Sequence, residues 1–366
     1  CIRDSLTGRF TAPDSGSEVR LDGELRGTIE EFNYDLSLVG NYKDIGEFMR
    51  GFRAYNRLKG GLQVQARMQG NTDGFELKDA QFLLNNLPDY GIEAAGSMTY
   101  DAVSGNTIHL VAAGELTSMA ALVDWIDVDL RPLGRTQGSA TITGTLNRPI
   151  IDEFILHSES DSGLSVNVKG HLEPDPENLD INRMNIDIYG PELAVLEPWT
   201  GSLPYQTGEF AASGILRGKR GEIALENFIL ELGNTDSVKA SIKGSADNVA
   251  SREKDGLAAI SGLNLSLSIA SPDTANIASL INYPLPHGFE VKGEIQISGN
   301  GDRMEPVGGV IELISSDIVA GITPTSGILN PSASPPLTGL QADISLELSD
   351  TSALSQFTTR AVPALG

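Results

Sequence analysis

The residues of this sequence best suited to acid–base or metal chemistry are its four histidines, His109, His157, His171 and His287. No two of them have the spacing that metal ligands use, and none fits the spacing of a catalytic triad. We therefore expect these histidines to lie on the surfaces of strands. We expect no enzymatic activity, no bound metal and no cofactor.

A short acidic stretch is the second place where ligand chemistry is conceivable. Its carboxylates are Glu173, Asp175, Glu177 and Asp180, with a proline after each of the first two. Calcium loops of the EF-hand type span twelve residues and contain a glycine at their turn, which this stretch lacks. The pattern favours a solvated loop between two strands over a calcium site.

The only cysteine, Cys1, excludes an internal disulfide, a cysteine-based zinc site and a C-x-x-C redox pair. Two interpretations of its position are open. It is either the lipidated N-terminal cysteine of a processed lipoprotein or a point at which a longer chain was cut. The repeat organisation described below favours the cut point.

The overall charge narrows the choice of partners. The 366 residues include 26 Lys and Arg against 49 Asp and Glu, for a net charge of −23. A protein that binds nucleic acid needs a basic stripe to displace counterions from phosphates, and no run of Lys or Arg occurs here. The acidity also opposes adsorption onto an anionic membrane. No apolar stretch reaches the roughly 18 residues that a membrane-spanning helix requires.

Internal repetition is the strongest signal in the sequence. A glycine-led segment with apolar residues at alternate positions predicts the opening strand of a module, and it recurs at 61–68, 138–144, 208–214 and 293–299. The next segment also has apolar residues at alternate positions, except at one point where two residues separate them, as between Leu225 and Phe228. An extra residue in an alternating run predicts a β-bulge, which returns the apolar side chains after it to the same face of the sheet. A third strand ending at glycine and a fourth alternating strand complete each module.

After the fourth strand, the apolar spacing changes from two to three or four residues, which predicts a short helix. These helical segments lie at 45–49, 119–123, 193–196, 277–281 and 354–357. Ser118, Asp273 and Asp350 are candidate N-caps for three of them. The stretch from Gly321 to Gly339 is rich in Pro, Ser and Thr and is interpreted as a long, mobile loop.

The chain therefore divides into about four and a half modules of one array. The predicted boundaries are 1–58 for a partial module, followed by complete modules at 59–135, 136–205, 206–290 and 291–366. Neither terminus has the polar cap that a free-standing repeat array needs. We therefore interpret the chain as a stretch of a longer array.

The alternation predicts a mainly β fold in which one face of an antiparallel sheet is apolar and the other is wet. With few aromatic residues and only short helices to cover that face, we favour an elongated sheet curled into a groove, with helices at the module seams, over a sandwich or a barrel. Roughly 18 strands at about 4.8 Å each would make a groove on the order of 85 Å long. The expected groove-lining residues of the opening strands are Leu62, Val64, Ala140, Ile142, Phe210, Ala212, Ile295 and Ile297.

The glycine-led strand, the Leu-x-x-Phe-x-Leu step from Leu225 to Leu230, the strand ending at Gly244 and the short helix before Pro and Gly together resemble the AsmA-like superfamily. This group of Gram-negative envelope proteins contains AsmA, TamB and YhdP, and the resemblance covers about residues 17–366. It implies a repeating β-groove, or β-taco, in the periplasm, tethered to the inner membrane by an anchor outside this chain. It also implies phospholipid transport toward the outer membrane or support of outer-membrane assembly, with envelope proteins as possible partners.

Two functions follow from these observations. In the first, the groove binds the acyl chains of phospholipids and conducts them between the inner and outer membranes, because hydrocarbon needs no specific polar contact. In the second, the protein is a structural scaffold or adhesin whose apolar faces pack internally and whose acidic outer face meets partners.

Overall fold

The computed structural model shows a mainly β protein whose strands are antiparallel, with very little helix. The predicted fold class, a long antiparallel sheet with one apolar face, is confirmed. The structure describes residues 2–12, 16–28, 31–44, 60–86, 90–117, 133–146, 148–174, 179–200, 208–219, 221–233, 238–249, 259–281, 285, 287–330, 333 and 337–351.

Within the described residues the sheet has nineteen strands, and their registers join each strand to the next along the chain from the first to the tenth and from the twelfth to the nineteenth. Their bounds are β1 Ile2–Ala12, β2 Ser17–Gly27, β3 Phe32–Tyr42, β4 Gly61–Gly70, β5 Gly74–Asn86, β6 Tyr90–Asp101, β7 Gly105–Leu116, β8 Arg135–Thr145, β9 Arg148–Glu159, β10 Ser165–Pro174, β11 Leu179–Gly190, β12 Phe210–Lys219, β13 Glu222–Leu232, β14 Lys239–Ala246, β15 Leu263–Ser271, β16 Glu290–Asn300, β17 Arg303–Ile314, β18 Ile318–Leu329 and β19 Leu337–Leu348.

The chain forms two compact units. Unit 1 comprises Cys1–Asp161 and Ser165–Met184, and it contains β1 to β10. Unit 2 comprises Ser162–Leu164 and Asn185–Gly366, and it contains β12 to β19. Strand β11 crosses the boundary. Within each unit, the hydrogen-bonded ladder brings side chains from successive strands onto a common face.

The predicted β-bulges are confirmed in the second strand of three modules. The pairing register shifts between Leu77 and Ala80 and again between Leu225 and Phe228, and strand β9 shifts against both of its neighbours. One residue of each bulge has a positive φ: Asp79 at 48°, Glu153 at 50° and Asn227 at 51°. These three residues are spaced by 74 positions, so the fold repeats with the period of the bulges.

Helices occur at two of the predicted seams. A 3₁₀ turn at Leu193–Leu196 continues into α1 at Glu197–Thr200, and α2 spans Thr274–Ile281. The N-cap prediction for Asp273 is confirmed, because its Oδ1 accepts hydrogen bonds from the backbone N–H groups of Ala275 (2.8 Å) and Gly288 (3.1 Å). The helical segments predicted at 45–49, 119–123 and 354–357, with Ser118, lie outside the described residues.

One prediction about the sheet was wrong, and one strand was missed. The stretch from Gly321 to Gly339 is not a long loop, since β18 occupies it as far as Leu329 and β19 begins at Leu337. Register shifts at Pro324 and Ser326 let the ladder pass the proline, as bulges commonly do. Strand β1 was not anticipated, because its polar residues hide the alternation of Leu6, Gly8 and Phe10.

Candidate ligand-binding face

Unit 2 carries an apolar face that the registers build strand by strand. Ala212 of β12 lies opposite Leu230, Leu230 opposite Ile242, Ile242 opposite Leu267, and Leu267 opposite Ile295. All five side chains are half-buried. Five strands at about 4.8 Å give this row a span of roughly 19 Å. We call this row, with the parallel row below, the apolar face of unit 2.

A second, parallel row lies two residues away along these five strands and continues onto β17, β18 and β19. It comprises Phe210, Leu232, Ala240, Ile269, Gly293, Ile311, Ile322 and Ile344. Neither row contains a charged or a polar side chain. Among the described residues, no buried side-chain nitrogen or oxygen lacks a hydrogen-bond partner. The apolar face of unit 2 therefore offers hydrocarbon surface without a polar group that would select a ligand.

Unit 1 has a similar face with smaller side chains. Val64 lies opposite Phe82, Phe82 opposite Ala94, Ala94 opposite Ala112 and Ala112 opposite Ala140. A neighbouring row contains Leu110, Ile142 and Ile151. We call these rows the apolar face of unit 1. Because alanines form its centre, this face is shallower in side-chain bulk than the corresponding face of unit 2.

The eight predicted lining residues lie in these rows or, for Leu62 and Ile297, two residues beyond them on the same side of the strand, but they differ in accessibility. Four are buried by neighbouring side chains, with exposed fractions of 3–7%: Leu62, Val64, Phe210 and Ile297. The other four are half-buried: Ala140, Ile142, Ala212 and Ile295. Only the second group presents surface to a ligand in this structure.

Sequence reasoning missed the lining residues outside the opening strands. Leu230, Ile242 and Leu267 lie on second, third and fourth strands, and each is half-buried on the apolar face. The signal was present, because each occupies the apolar phase of an alternating run. The prediction was restricted to opening strands, whereas cross-strand pairing gives every strand of a module an equal share of the face.

The opposite, polar face carries the charges. Glu231, Lys243 and Glu294 alternate along their strands with the apolar residues named above and are exposed. Ion pairs neutralise many of these charges: in unit 1, Arg67 donates two hydrogen bonds to the carboxylate of Asp35, at 2.7 and 2.5 Å. This guanidinium is the main reason that the pKa of Asp35 falls to about 2. This distribution of charge means that the polar face, with its carboxylates, is the face in contact with solvent.

In each unit, packing is tightest at one end of the strands, which we call the seam end because in unit 2 the described helices lie there. The largest fully buried side chains are all at this end: Phe289, Leu164, Ile318, Thr136, Thr274 and Ser158. In unit 2, Ile277 of α2 packs against Val238 and Val291. The middle of the apolar face, by contrast, is only half covered by protein.

A separate concavity of about 830 Å³ lies in unit 2. Its lining includes Tyr189, Ala211, Glu231, Ser241 and Ser268. Ala211, Glu231, Ser241 and Ser268 pair with one another in sequence across four strands, one residue out of phase with the apolar row. The lining also includes Phe210, Leu232, Ala240 and Ile269 of the apolar face of unit 2, so residues of both phases surround the concavity.

The histidines lie on strand surfaces or in exposed loops, as expected, and one of them joins two strands. His171 of β10 contacts Asp152 of β9 through Nδ1 and Glu173 through Nε2, at 3.2 Å for the second pair. The hydrogen bond with Glu173, assisted by Asp152, raises the pKa of His171. His157 pairs with Asn167, and His109 and His287 are exposed.

No metal site is evident in the part of the chain that the structure describes. No group of three or more His, Cys, Asp or Glu side chains there is arranged to hold an ion. The two nitrogens of His171 point to different carboxylates, so these three groups do not converge on one point. Asp175 and Glu177 of the acidic stretch, and Cys1, lie outside the described residues.

The His171 contacts predict a pH dependence of stability. Because the folded-state pKa lies above the usual value of 6.5, the stabilisation is fully present below pH 6.5. It is lost as the pH rises through the folded-state value. We expect the urea midpoint of the protein to fall over this interval, and the His171→Gln variant to lose that part of the fall. Urea titrations from pH 6 to pH 8.5 measure the difference, and equal slopes in both proteins would contradict the assignment.

Of the helices within the described ranges, none has the length and apolar character to cross a membrane. Comparison with known proteins adds no relative: no protein-family model, no curated protein and no solved structure matches the chain.

Proposed function

We propose that the apolar faces bind the acyl chains of phospholipids and conduct them along the sheet. The observation that carries this proposal is the uncharged row from Ala212 to Ile295, every member of which is only half-buried. An apolar surface of this continuity is rarely left in water without a binding role. Burial of each CH₂ group of a bound chain contributes about 0.8 kcal/mol.

The absence of polar groups on this face fits a lipid better than a small polar metabolite. Small-molecule sites usually add a few placed donors or acceptors that fix the orientation of the ligand. An acyl chain needs none, and it can slide between equivalent positions because each strand offers the same chemistry. The head group would then remain in solvent at the edge of the groove.

The cellular setting is proposed from the sequence resemblance alone. We infer that the protein is an AsmA-like component of a Gram-negative envelope, located in the periplasm and tethered to the inner membrane by an anchor outside this chain. Lipid would move between the inner and outer membranes and support outer-membrane biogenesis, with envelope proteins as partners. The division of the chain into one partial and four complete modules is part of the same proposal.

The scaffold function has one observation in its favour. In unit 1, Leu62, Val64, Leu84, Tyr90 and Leu116 bury one another in a single cluster on the apolar face. That part of the face is already filled by the protein's own side chains, as a scaffold would require. The half-buried members of the apolar faces of both units favour the lipid function elsewhere.

A charge placed on the apolar face tests the lipid function. Leu230→Glu sets a carboxylate against the bound hydrocarbon, and burial of an unpaired charge is strongly unfavourable. We expect it to weaken binding of a fluorescent fatty acid at least tenfold and to reduce the phospholipid that mass spectrometry finds in the purified protein. Ile229→Glu is the matched control, because Ile229 is the preceding residue and is 37% exposed on the opposite face.

The control variant is expected to bind within twofold of the unmodified protein. In unit 1, Ile142→Glu and Val111→Glu form a second pair, since Val111 is 55% exposed on the polar face. Far-UV circular dichroism of all four variants checks that their strand content is unchanged. The proposal fails if the unmodified protein binds no fatty acid and contains no lipid, or if the two variants of a pair bind equally.

A further inference from the structure

Four aromatic side chains gather at the end of unit 1 where tight turns join the strands, opposite the seam end. They are Phe32, Tyr34, Phe75 and Tyr100, and we call them the aromatic rim. Phe32 and Tyr34 follow each other on the apolar side of β3, with ring centres 6.2 Å apart. Phe75 and Tyr100 lie opposite each other on β5 and β6 and stack at 5.6 Å. The rim thus lies at this end of the apolar face of unit 1.

A glycine between the two pairs lets them approach each other. Gly70 of β4 lies opposite both Tyr34 and Phe75. A Cβ at Gly70 would stand 2.7 Å from the Tyr34 hydroxyl, so the Tyr34 ring extends across β4 in the space that the glycine leaves. The Tyr34 hydroxyl donates a hydrogen bond to the carbonyl of Gly74 at 3.4 Å. The ring is therefore held on the rim and does not swing freely.

The aromatic rim is partly exposed to solvent, and apolar side chains lie next to it on the sheet. Phe32 and Tyr100 are 36% and 45% exposed, and Val103, in the turn after Tyr100, is 97% exposed. Two residues further along the strands, Met68 and Met98 pack beside the rim. These flexible side chains adapt to irregular apolar ligands. The exposed apolar surface therefore continues from the turn onto the apolar face.

The repeat itself does not require aromatic residues here. Seventy-four residues later, the positions of Phe32, Tyr34, Phe75 and Tyr100 are occupied by Asn106, Ile108, Pro149 and Pro174. Strands with those residues form the same kind of ladder. Folding of a module thus proceeds without the aromatic rings, and their exposure in unit 1 calls for a binding partner.

The charged side chains on the strands beside the aromatic rim indicate what kind of surface the rim would bind. Every Lys and Arg within strands β2 to β6 is paired with a carboxylate: Arg20 with Glu18, Arg26 with Glu24, Arg67 with Asp35 and Lys78 with Glu76. No unpaired cation on these strands can attract anionic lipid. Tyrosine rings with a polar tip and an apolar body favour the boundary between water and hydrocarbon.

We propose that the aromatic rim is the surface by which unit 1 docks on a zwitterionic lipid bilayer. Phe32, Tyr100 and Val103 enter the head-group region, and the paired charges stay in water. Docking places this end of the apolar face of unit 1 against the bilayer. Entry of lipid chains at this point rests on the proposed function, whereas docking itself does not.

Flotation with phosphatidylcholine vesicles tests the docking. We expect the unmodified protein to float with the vesicles and the Phe32→Ser/Tyr100→Ser double variant to bind at least fivefold less. Val111→Ser/Ile155→Ser is the control, because it removes two exposed apolar side chains (55% and 43%) from the polar face of the same unit. We expect this control to float like the unmodified protein. Since hydrophobic contacts dominate, raising the salt concentration should not release the protein.

The outcomes separate docking from lipid binding. Equal flotation of the two double variants, no flotation of the unmodified protein, or binding only to phosphatidylglycerol vesicles would each overturn the docking proposal. Fatty-acid binding without vesicles is measured on the same samples. If the rim variant floats poorly but binds fatty acid normally, docking stands by itself; if the unmodified protein floats but binds no fatty acid, only the lipid-conduction function fails.

Discussion

Replacement of Gly96 by alanine is expected to destabilise unit 1 by roughly 3 kcal/mol, within the range for strained backbone and overpacked positions. Gly96 lies where β6 meets β7, with φ of +155°, and a Cβ there would stand 2.0 Å from the carbonyl oxygen of His109. Two atoms that are not bonded cannot lie this close together, so the strands must separate or rotate locally. Urea unfolding followed by far-UV circular dichroism measures the loss.

Gly91→Ala in the same strand is the matched control. A Cβ at Gly91 meets no atom within 4 Å, and its φ is not in the left-handed region. At such a position, alanine reduces the freedom of the unfolded chain and is expected to be neutral or to stabilise by about 0.4–1 kcal/mol. A similar loss in both variants would mean that the close approach of β6 and β7 is not what Gly96 provides.

The same position in unit 2 provides an independent replicate. Gly244 also has φ of +155°, and a Cβ there would stand 2.0 Å from the carbonyl oxygen of Asn264. Gly170, midway between Gly96 and Gly244 in sequence, would meet Arg183 in the same way, at 2.4 Å. The prediction that third strands end at these glycines was wrong, because β6 continues to Asp101 and β10 to Pro174. The close approach to the fourth strand, which the pattern also predicted, is present at all three glycines.

Much of the fold could be predicted because the information is local and repeated. A two-residue step such as Leu225 to Phe228 specifies a bulge by itself, since only an extra residue keeps both side chains on one face. Asp273 before an apolar helical stripe specifies an N-cap in the same local way. Each signal also recurs in several modules, which separates it from chance.

Other features depend on contacts that a single segment does not contain. The stretch from Gly321 to Gly339 has the Pro, Ser and Thr content of a loop, and its first part forms a strand because β17 and β19 supply partners and bulges absorb Pro324. The accessibility of the candidate lining residues could not be predicted from the sequence either. Leu62 and Ile142 have the same pattern in sequence, yet Leu84 and Tyr90 bury the first, and the second stays half-exposed.

Truncation of Phe289 is expected to cost unit 2 about 3–5 kcal/mol, the usual range for a buried phenylalanine replaced by alanine. Its side chain is fully buried and packs with Ile318 and Ala320 at the seam end. Its carbonyl also accepts the hydrogen bond that Thr274 donates at the start of α2, at 2.8 Å. A cavity at Phe289 therefore loosens both the strand ends and the helix. Urea unfolding measures the loss.

Ile344→Ala is the control for this cavity, because Ile344 is 65% exposed on β19 of the same unit. Its truncation is expected to change the free energy of unfolding by no more than about 0.5 kcal/mol, as for most surface positions. The comparison also bears on function. If the seam end supplies stability and the half-buried rows supply binding, Phe289→Ala should still bind the fluorescent fatty acid under conditions where it remains folded. Loss of binding in that folded variant would show that the seam end and the apolar face of unit 2 are not separable.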